Sequence, residues 1–344
     1  MRTIYAVLAA AVYSAVIATG CTKYDLNYAR NDSSDDLEIT FQLAPLTRAA
    51  SASFSTSSVF QTNAFYHPQG SSWTESALEA EEYITRIPVS WTGVVWKMSD
   101  PHCWPSNGGR LTFYSWSLNR EDLCFSPESA AAVHIDSQRG VNLTGFDISL
   151  DPDLDFLVAA ACCDKSRECY SSASSASVTT QFRHQLSKLS ISARTAEDYS
   201  DSKEFGIRSV CLRNVAQIAD YQQCSCESGE WGEIHRWTAQ STYDALYGDY
   251  SAAPSAVTAT EADLPGEHLH YIPQTFTDGV EHLEVCYTIR DLHTGFSECV
   301  TVRIPLGSLI SDGGFRNGVL YSICLTFSLD SISWAPAVED WDNV

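Results

Sequence analysis

The chain has 344 residues, enough for two domains of ordinary size, and its 44% hydrophobic and 11% aromatic content exclude wholesale disorder. Forty-three acidic against 21 basic residues give a net charge of -22, which argues against nucleic acid as a partner, because such binders carry a basic patch. Nine Trp, sixteen Tyr and fourteen Phe against two Met suit β-structure better than helix bundles.

The N-terminus reads as a targeting segment. Arg2 supplies a positive charge, and Ile4 to Ile17 form an apolar run with the length of a signal-peptide core, short for a membrane span. Ala18-Thr19-Gly20-Cys21 then resembles a bacterial lipobox, in which Cys21 becomes the lipidated first residue after removal of residues 1–20. The alternative is ordinary signal cleavage near Gly20, with Cys21 an incidental thiol. A lipid on Cys21 would tether the protein to a membrane, and no later segment is apolar enough to span one. Residues 21–36 are polar, end in NDSSDD and read as a tether.

A strand follows. Leu37, Ile39, Phe41 and Leu43 alternate with Glu38, Thr40 and Gln42, and Pro45 ends the ladder. Arg48 and Ala49 then open a small, polar run to Ser58. Val59 to Tyr66 is a second strand, and Tyr83 to Val89 with Val94 to Met98 reads as a hairpin around Trp91-Thr92-Gly93. Pro105 to Gly109 turns the chain into the aromatic strand Leu111 to Leu118. Val133 to Leu143 and Phe146 to Leu150 are shorter candidates, and Leu154 to Cys162 has the continuous apolarity of a buried strand.

Ser171 to Ser177 is the clearest composition break. It reads as a linker (171–177) between an N-terminal domain (37–170) and a C-terminal domain (178–344). Beyond it, Val178 to Ser192 and Val210 to Val215 read as strands, whereas Cys224 to Gly232 and Tyr243 to Leu264 read as loops. His282 to Arg290 and Ser297 to Pro305 form a hairpin, Val319 to Leu329 alternates throughout, and Ile332 to Trp341 closes the chain. No helix of convincing length emerges, so the fold class is all-β, most economically two sandwiches in tandem.

Little in the chain points to catalysis. There is no G-x-S-x-G, P-loop or H-E-x-x-H, and the acidic residues are too scattered to single out a catalytic pair. No cofactor is implied. Twelve Cys is a high count, and with Cys21 set aside an odd number remains, so at least one thiol stays free or pairs between chains. Cys162, Cys163 and Cys169, like Cys224 and Cys226, lack zinc-ribbon spacing and favour disulfides or buried thiols over metal. Cys286 and Cys299 form the best candidate disulfide, since the hairpin register could bring them opposite one another. His268 and His270 lack a third ligand and read as loop histidines. Trp231 and Trp237 could stack on sugars, with core packing the plainer role.

Together these stretches resemble the fimbrillin proteins of Bacteroidales, subunits and accessory proteins of the type V pilus. The resemblance rests on the lipobox at Cys21 and on Thr47-Arg48-Ala49 after the first strand. It continues through Trp104-Pro105 with LTFYSWS, LDFLVAA from Leu154, FRHQLSKLSIS from Phe182 and YIPQTF from Tyr271, and ends with FRNGVLYSICLTFSLDSISW and Trp341. The cysteine count is the main departure. The resemblance implies two transthyretin-like β-sandwich domains after a lipoprotein signal peptide, on the cell surface. It also implies assembly: an Arg-specific protease cuts after the first strand, the strand leaves, and a C-terminal segment of the next subunit fills the groove.

On that basis the cut is expected between Arg48 and Ala49. Arg30 is its rival, and the alternative is that Arg48 is a solvated loop residue. Leu37, Ile39, Phe41 and Leu43 would be the removable strand. Emptying four apolar pockets at about 1.5–3 kcal/mol each is about 6–12 kcal/mol of lost burial. Ile332, Trp334, Val338 and Trp341 would be the donor strand, with Pro336 a possible bend, or else an ordinary edge strand of their own domain. The expected partners are other pilus subunits, the protease, a membrane through the lipid on Cys21, and surface ligands. The readings set beside a shaft subunit are a tip adhesin or membrane anchor of the same pilus, and a non-polymerising glycan-binding lipoprotein.

Overall fold

The structure, a computed structural model, describes residues 37–44, 54–118, 123–125, 131–167, 177–227, 230–267 and 269–341. Two four-residue helices, α1 (Trp73–Ser76) and α2 (Leu306–Leu309), are the only helices among them. The all-β expectation holds.

The first strands are β1 (Thr40–Leu43), β2 (Phe60–His67), β3 (Glu81–Trp91), β4 (Trp96–Met98) and β5 (Arg110–Ser117). They are followed by β6 (Ala132–Asp136), β7 (Gly140–Asp147), β8 (Leu157–Ala159) and β9 (Cys162–Lys165), then β10 (Ser177–Thr180) and β11 (Phe182–His184). All but β6 and β7 join one sheet in the order β10-β1-β4-β3-β2-β5-β8-β11, with β9 also on β5. Only the β1–β10 pair is parallel. Gln181 alone separates β10 from β11 in sequence, yet they stand at opposite ends of this order. The sheet therefore curls until its ends meet. Its inside is filled by a core that includes Ile39, Phe41, Phe60, Phe113, Val178 and Phe182. Strand β5 is buried on both faces, because Leu111 and Phe113 point into this core while Tyr114 and Trp116 point into a second one outside the curl.

The remaining strands are β12 (Ser187–Thr195), β13 (Lys203–Glu227), β14 (Glu230–Asp249), β15 (Ser255–Val257), β16 (Ala262–Asp263) and β17 (His270–Tyr271). After them come β18 (Gln274–Thr275), β19 (His282–Asp291), β20 (Ser297–Pro305), β21 (Gly314–Phe315), β22 (Val319–Phe327) and β23 (Ile332–Asp340). One sheet runs β16-β12-β22-β23, with β17 on β12. A larger one runs β20-β19-β13-β7-β6, with β14 and β15 on β13, and β18 pairs β21 alone. The third core lies between these two larger sheets, with Ile191, Leu212, Val285, Ile323 and Leu325 among its fully buried members.

Strand β13 joins the halves. Its first part pairs β19 and buries Phe205, Ile207 and Leu212 in the C-terminal core. Past Asn214 it pairs β7 and buries Ala216, Ala219 and Tyr221 against the curled sheet. The changeover is a cluster of register shifts between Leu212 and Ala219 on the β14 side. There Asn214 sits at φ +60°, a left-handed conformation that Asn tolerates, with its N–H donating to the Asp244 carboxylate.

Two expectations need correction. Residues 224–232 and 243–264 are not loops throughout, since β13 reaches Glu227 and β14 begins at Glu230 and runs to Asp249. Most of β14 is exposed or half-buried on both faces, so no apolar alternation marks it, and its ladder to β13 carries the pairing. The domain boundary also moves. Ser177 opens β10, where Val178 and Thr180 are buried, and both β10 and β11 belong to the N-terminal sheet. The changeover thus falls at Gln185-Leu186, and β13 with β14 then returns to cover the N-terminal half.

Candidate functional site

The first described strand behaves as its alternation requires. Ile39 and Phe41 are wholly buried, while Leu37 and Leu43 pack half-buried at the two ends of the same face. Phe41 meets Phe60 and Phe113 edge-on, with ring centroids 5.6 and 5.8 Å away. Two full pockets and two partial ones lower the burial at stake to about 3–6 kcal/mol from the buried pair, with a smaller share from the flanks.

Backbone pairing holds β1 from both sides. The Ile39 N–H donates to the His102 carbonyl at 2.8 Å, the Trp104 N–H to Leu37 at 3.0 Å and the Ala44 N–H to Thr180 at 2.9 Å. Strand β1 is thus an inner strand, inserted between β10 and β4. Side chains add the Lys97–Glu38 ion pair at 2.7 Å and a Thr40–Ser177 hydroxyl contact at 2.8 Å. Cys21, Arg30, Arg48 and Ala49 lie outside the described residues.

At the other end of the chain, β23 forms the edge of its sheet. It pairs β22 from Ile332–Phe327 to Asp340–Val319 without a register shift, so Pro336, opposite Ile323, does not divide it as expected. Its side chains are exposed save Ile332, and Trp334 and Val338 are each 38% exposed. The Trp334 indole N–H donates to the Ser308 carbonyl in α2.

Trp341 is different. It is buried, and its ring lies between His184 of β11 and His270 of β17, with centroids 3.9 and 5.1 Å away and planes tilted by 11° and 19°. The Lys188 ammonium stands 5.4 Å from the ring centre. Asp155 meets His184 Nδ1 at 2.9 Å, and the Pro152 carbonyl lies 3.3 Å from His270 Nδ1. Burial lowers the pKa of His270; Asp155 opposes that shift, while Lys188 and His184 add to it.

An inserted strand at one end and an edge strand at the other are thus set in an all-β scaffold. Residues 47–298, well over half of the chain, match the fimbrillin-like family. The chain belongs to that family. A fimbrial protein from Bacteroides vulgatus superposes with a TM-score of 0.59 at 14% identity, covering 88% of this chain and 99% of its own, a likeness of fold. The tip fimbrial protein Mfa3 and the fimbrial anchor protein Mfa2, both from Porphyromonas gingivalis, align over 89% of this chain at 9% and 11% identity. They cover 100% and 97% of their own chains, and their TM-scores of 0.36 and 0.30 carry no argument. No curated protein matches the chain. Family membership points to a pilus-related, structural role for this fimbrillin-like protein at the cell surface.

Among the described residues, the cysteines of this fimbrillin-like chain are mostly thiols. Cys286 and Cys299 are both free, with their sulfurs 3.5 Å apart. The register pairs Cys286 with Thr301 and Cys299 with Thr288, so the two are diagonal neighbours rather than opposed, and the expected bridge is not formed. Cys103 is disulfide-bonded, and its partner lies outside the described residues. Burial pushes the Cys163 thiol up to about 12 and raises Cys224 as well. No group of three or more metal-ligating side chains occurs among the described residues. Trp237 packs on Phe146 and donates to the Gln185 carbonyl, and Trp231 lies against Trp73, so neither is a free sugar platform. His270, expected in a loop, is part of the Trp341 stack. His268 lies outside the described residues.

Proposed function

We propose that this fimbrillin-like protein is a pilus subunit, exported as a lipoprotein on Cys21, cut between Arg48 and Ala49, and joined to its neighbour by strand replacement. The observation that carries the reading is the place of β1 between β10 and β4 with Ile39 and Phe41 wholly buried. Loss of an edge strand would leave one unpaired ladder. Loss of this inner one would leave two facing ladders and two empty pockets, a slot that specifies both the direction and the register of an incoming strand. A domain is stable by only about 5–15 kcal/mol, so the lost burial is a sizeable share of it. The slot also supplies the specific contact that a chain of net charge -22 needs to associate with its own kind.

Strand β23 is the donor in this reading. It is paired on one side only, and Ile332, Trp334 and Val338 repeat at the two-residue interval of Leu37, Ile39 and Leu43, with Pro336 in the place of Phe41. The other partners are an Arg-specific surface protease, the outer membrane before the cut, and surface ligands of the finished pilus.

The test is Arg48→Ala in cells that assemble the pilus. SDS-resistant ladders should vanish, and the surface-extracted protein should keep a lipid-blocked Cys21 in place of an N-terminus at Ala49. Normal ladders from that variant would overturn the cut. Deleting residues 331–344 tests the donor in the same assay, and ladders that persist would exclude β23. A tip or anchor subunit is the second reading, favoured by the complete pairing of β23 within its own sheet. For an anchor, wild-type protein would itself retain a blocked Cys21.

A further inference from the structure

A cavity of about 520 Å³ opens where the β11–β12 connection meets β14 and the approach to β22. Two side-chain amides, buried Gln185 and half-buried Asn317, form a hydrogen-bond network at this cavity. The Gln185 side chain is 2% exposed, and its Oε1 accepts from the Tyr221 hydroxyl at 3.1 Å and from Asn317 Nδ2 at 2.9 Å. Asn317 Nδ2 also donates to the His235 carbonyl at 3.0 Å. Since the Tyr221 proton goes to Gln185, the 2.8 Å contact between Tyr221 and His235 Nδ1 makes the imidazole the donor there. His235 itself sits at φ +43°, a left-handed conformation in a residue other than glycine. Strain of that kind persists only where the surroundings impose it, and it gathers at binding sites.

We propose that this cavity binds a short saccharide carrying a carboxylate. The volume falls in the range of small-ligand sites. Residues that carry donors and acceptors line it together, Arg183 and Asn317 with Glu339. A hydroxyl both donates and accepts, so a polyol can satisfy such a mixture where a purely anionic or apolar ligand cannot. Two arginines, Arg183 and Arg316, line the cavity. The guanidinium of Arg316 is committed to Asp312, whereas Arg183 is exposed and has no ion pair among the described residues. One uncommitted guanidinium matches one carboxylate, held by two parallel N–H donors. A phosphate dianion carries two charges where the wall supplies one uncommitted guanidinium, with the Glu339 carboxylate beside it.

Glu339 and Asp340 belong to β23, so the site exists in the chain before that strand is donated. It uses no residue of β1, and its test on the uncut chain needs no assembly, so its failure is distinguishable from failure of strand replacement. Saturation-transfer NMR and titration calorimetry on the uncut full-length chain would use glucuronic acid and N-acetylneuraminic acid, with glucose and inorganic phosphate as controls. The acidic sugars should bind at least tenfold more tightly than glucose, and Arg183→Ala should remove that preference while sparing glucose. Arg183 is exposed, so this variant should fold. Asn317→Ala, checked for folding by circular dichroism, should weaken acidic and neutral sugars alike. No binding of either acidic sugar, an unchanged preference in Arg183→Ala, or displacement by phosphate would each overturn the proposal.

Discussion

The indole of Trp341 lies flat on the imidazole of His184, 3.9 Å away and 11° from parallel. His184 belongs to the N-terminal sheet and Trp341 follows the last strand, so this contact fastens the end of the chain to the opposite half of the molecule. The Trp341 N–H completes the clasp by donating to the Gly318 carbonyl at 2.7 Å. Strand β23 is thus pinned by Ile332 at one end and Trp341 at the other, with exposed side chains between. Trp341→Ala should destabilise the protein by about 3–5 kcal/mol, the usual cost of deleting a buried aromatic. Urea denaturation gives that number, and hydrogen exchange over 332–340 should accelerate. Unchanged exchange there would mean that the clasp does not hold the strand.

The same stack makes stability depend on pH. Burial lowers the folded-state pKa of His270 from about 6.5, with Asp155 opposing and Lys188 and His184 reinforcing the shift. The unfolded chain therefore binds the proton first as pH falls, and stability rises with pH across that window. The contribution is complete above about 6.5 and is lost as pH drops through the lower, folded value. His67, also lowered chiefly by burial, acts in the same direction. Urea midpoints should fall between pH 7.5 and 5.5, and His270→Gln should flatten the fall. An equal slope in that variant would remove His270 from the account.

The two faces of β1 should answer differently to substitution. Phe41 is wholly buried against Phe60 and Phe113, whereas Gln42 is exposed. Phe41→Ala should cost about 3–5 kcal/mol, and Gln42→Ala should stay within about 0.5 kcal/mol. Chemical denaturation of the uncut protein measures both. Similar values for the two would mean that β1 contributes nothing through its side chains.

The contrast between β1 and β14 explains what could be read in advance. Ile39 and Phe41 alternate with polar residues because one face of β1 is buried and the other is not, and that difference is written into the residue types. Strand β14 is exposed or half-buried on both faces for most of its length, so its stability comes from backbone pairing to β13 that any residue type can make. Ser177 belongs to a Ser-rich run whose composition says linker, yet its partner in β1 is distant in sequence. The Trp341 stack was equally hidden, since His184, His270 and Trp341 meet only after β11, β17 and the end of β23 converge. Gln185 and Asn317 carry no local signal at all, for their pairing spans 132 positions.

Cys286 and Cys299 allow a test of thiol chemistry on the β19–β20 hairpin. Their sulfurs are 3.5 Å apart, and their diagonal register asks for a small local adjustment before a bond of about 2.05 Å can form. A hydrogen bond to Cys286 raises the Cys299 pKa above its usual value of 9.0, so little thiolate exists at neutral pH. Exposure to oxidised glutathione should therefore link the pair slowly at pH 7 and faster near pH 9. Each closure would release two glutathione thiols and lower the protein mass by about two hydrogens. Cys163, half-buried and pushed up to about 12, should stay reduced over the same interval. Peptide mapping under non-reducing conditions should recover Cys286 joined to Cys299, and Cys299→Ser should abolish that peptide. A bridge over so short a loop gains at most about 3 kcal/mol by the chain-entropy argument, and the diagonal geometry should reduce the gain. A Cys163 linkage appearing first would reverse the order of reactivity that burial imposes.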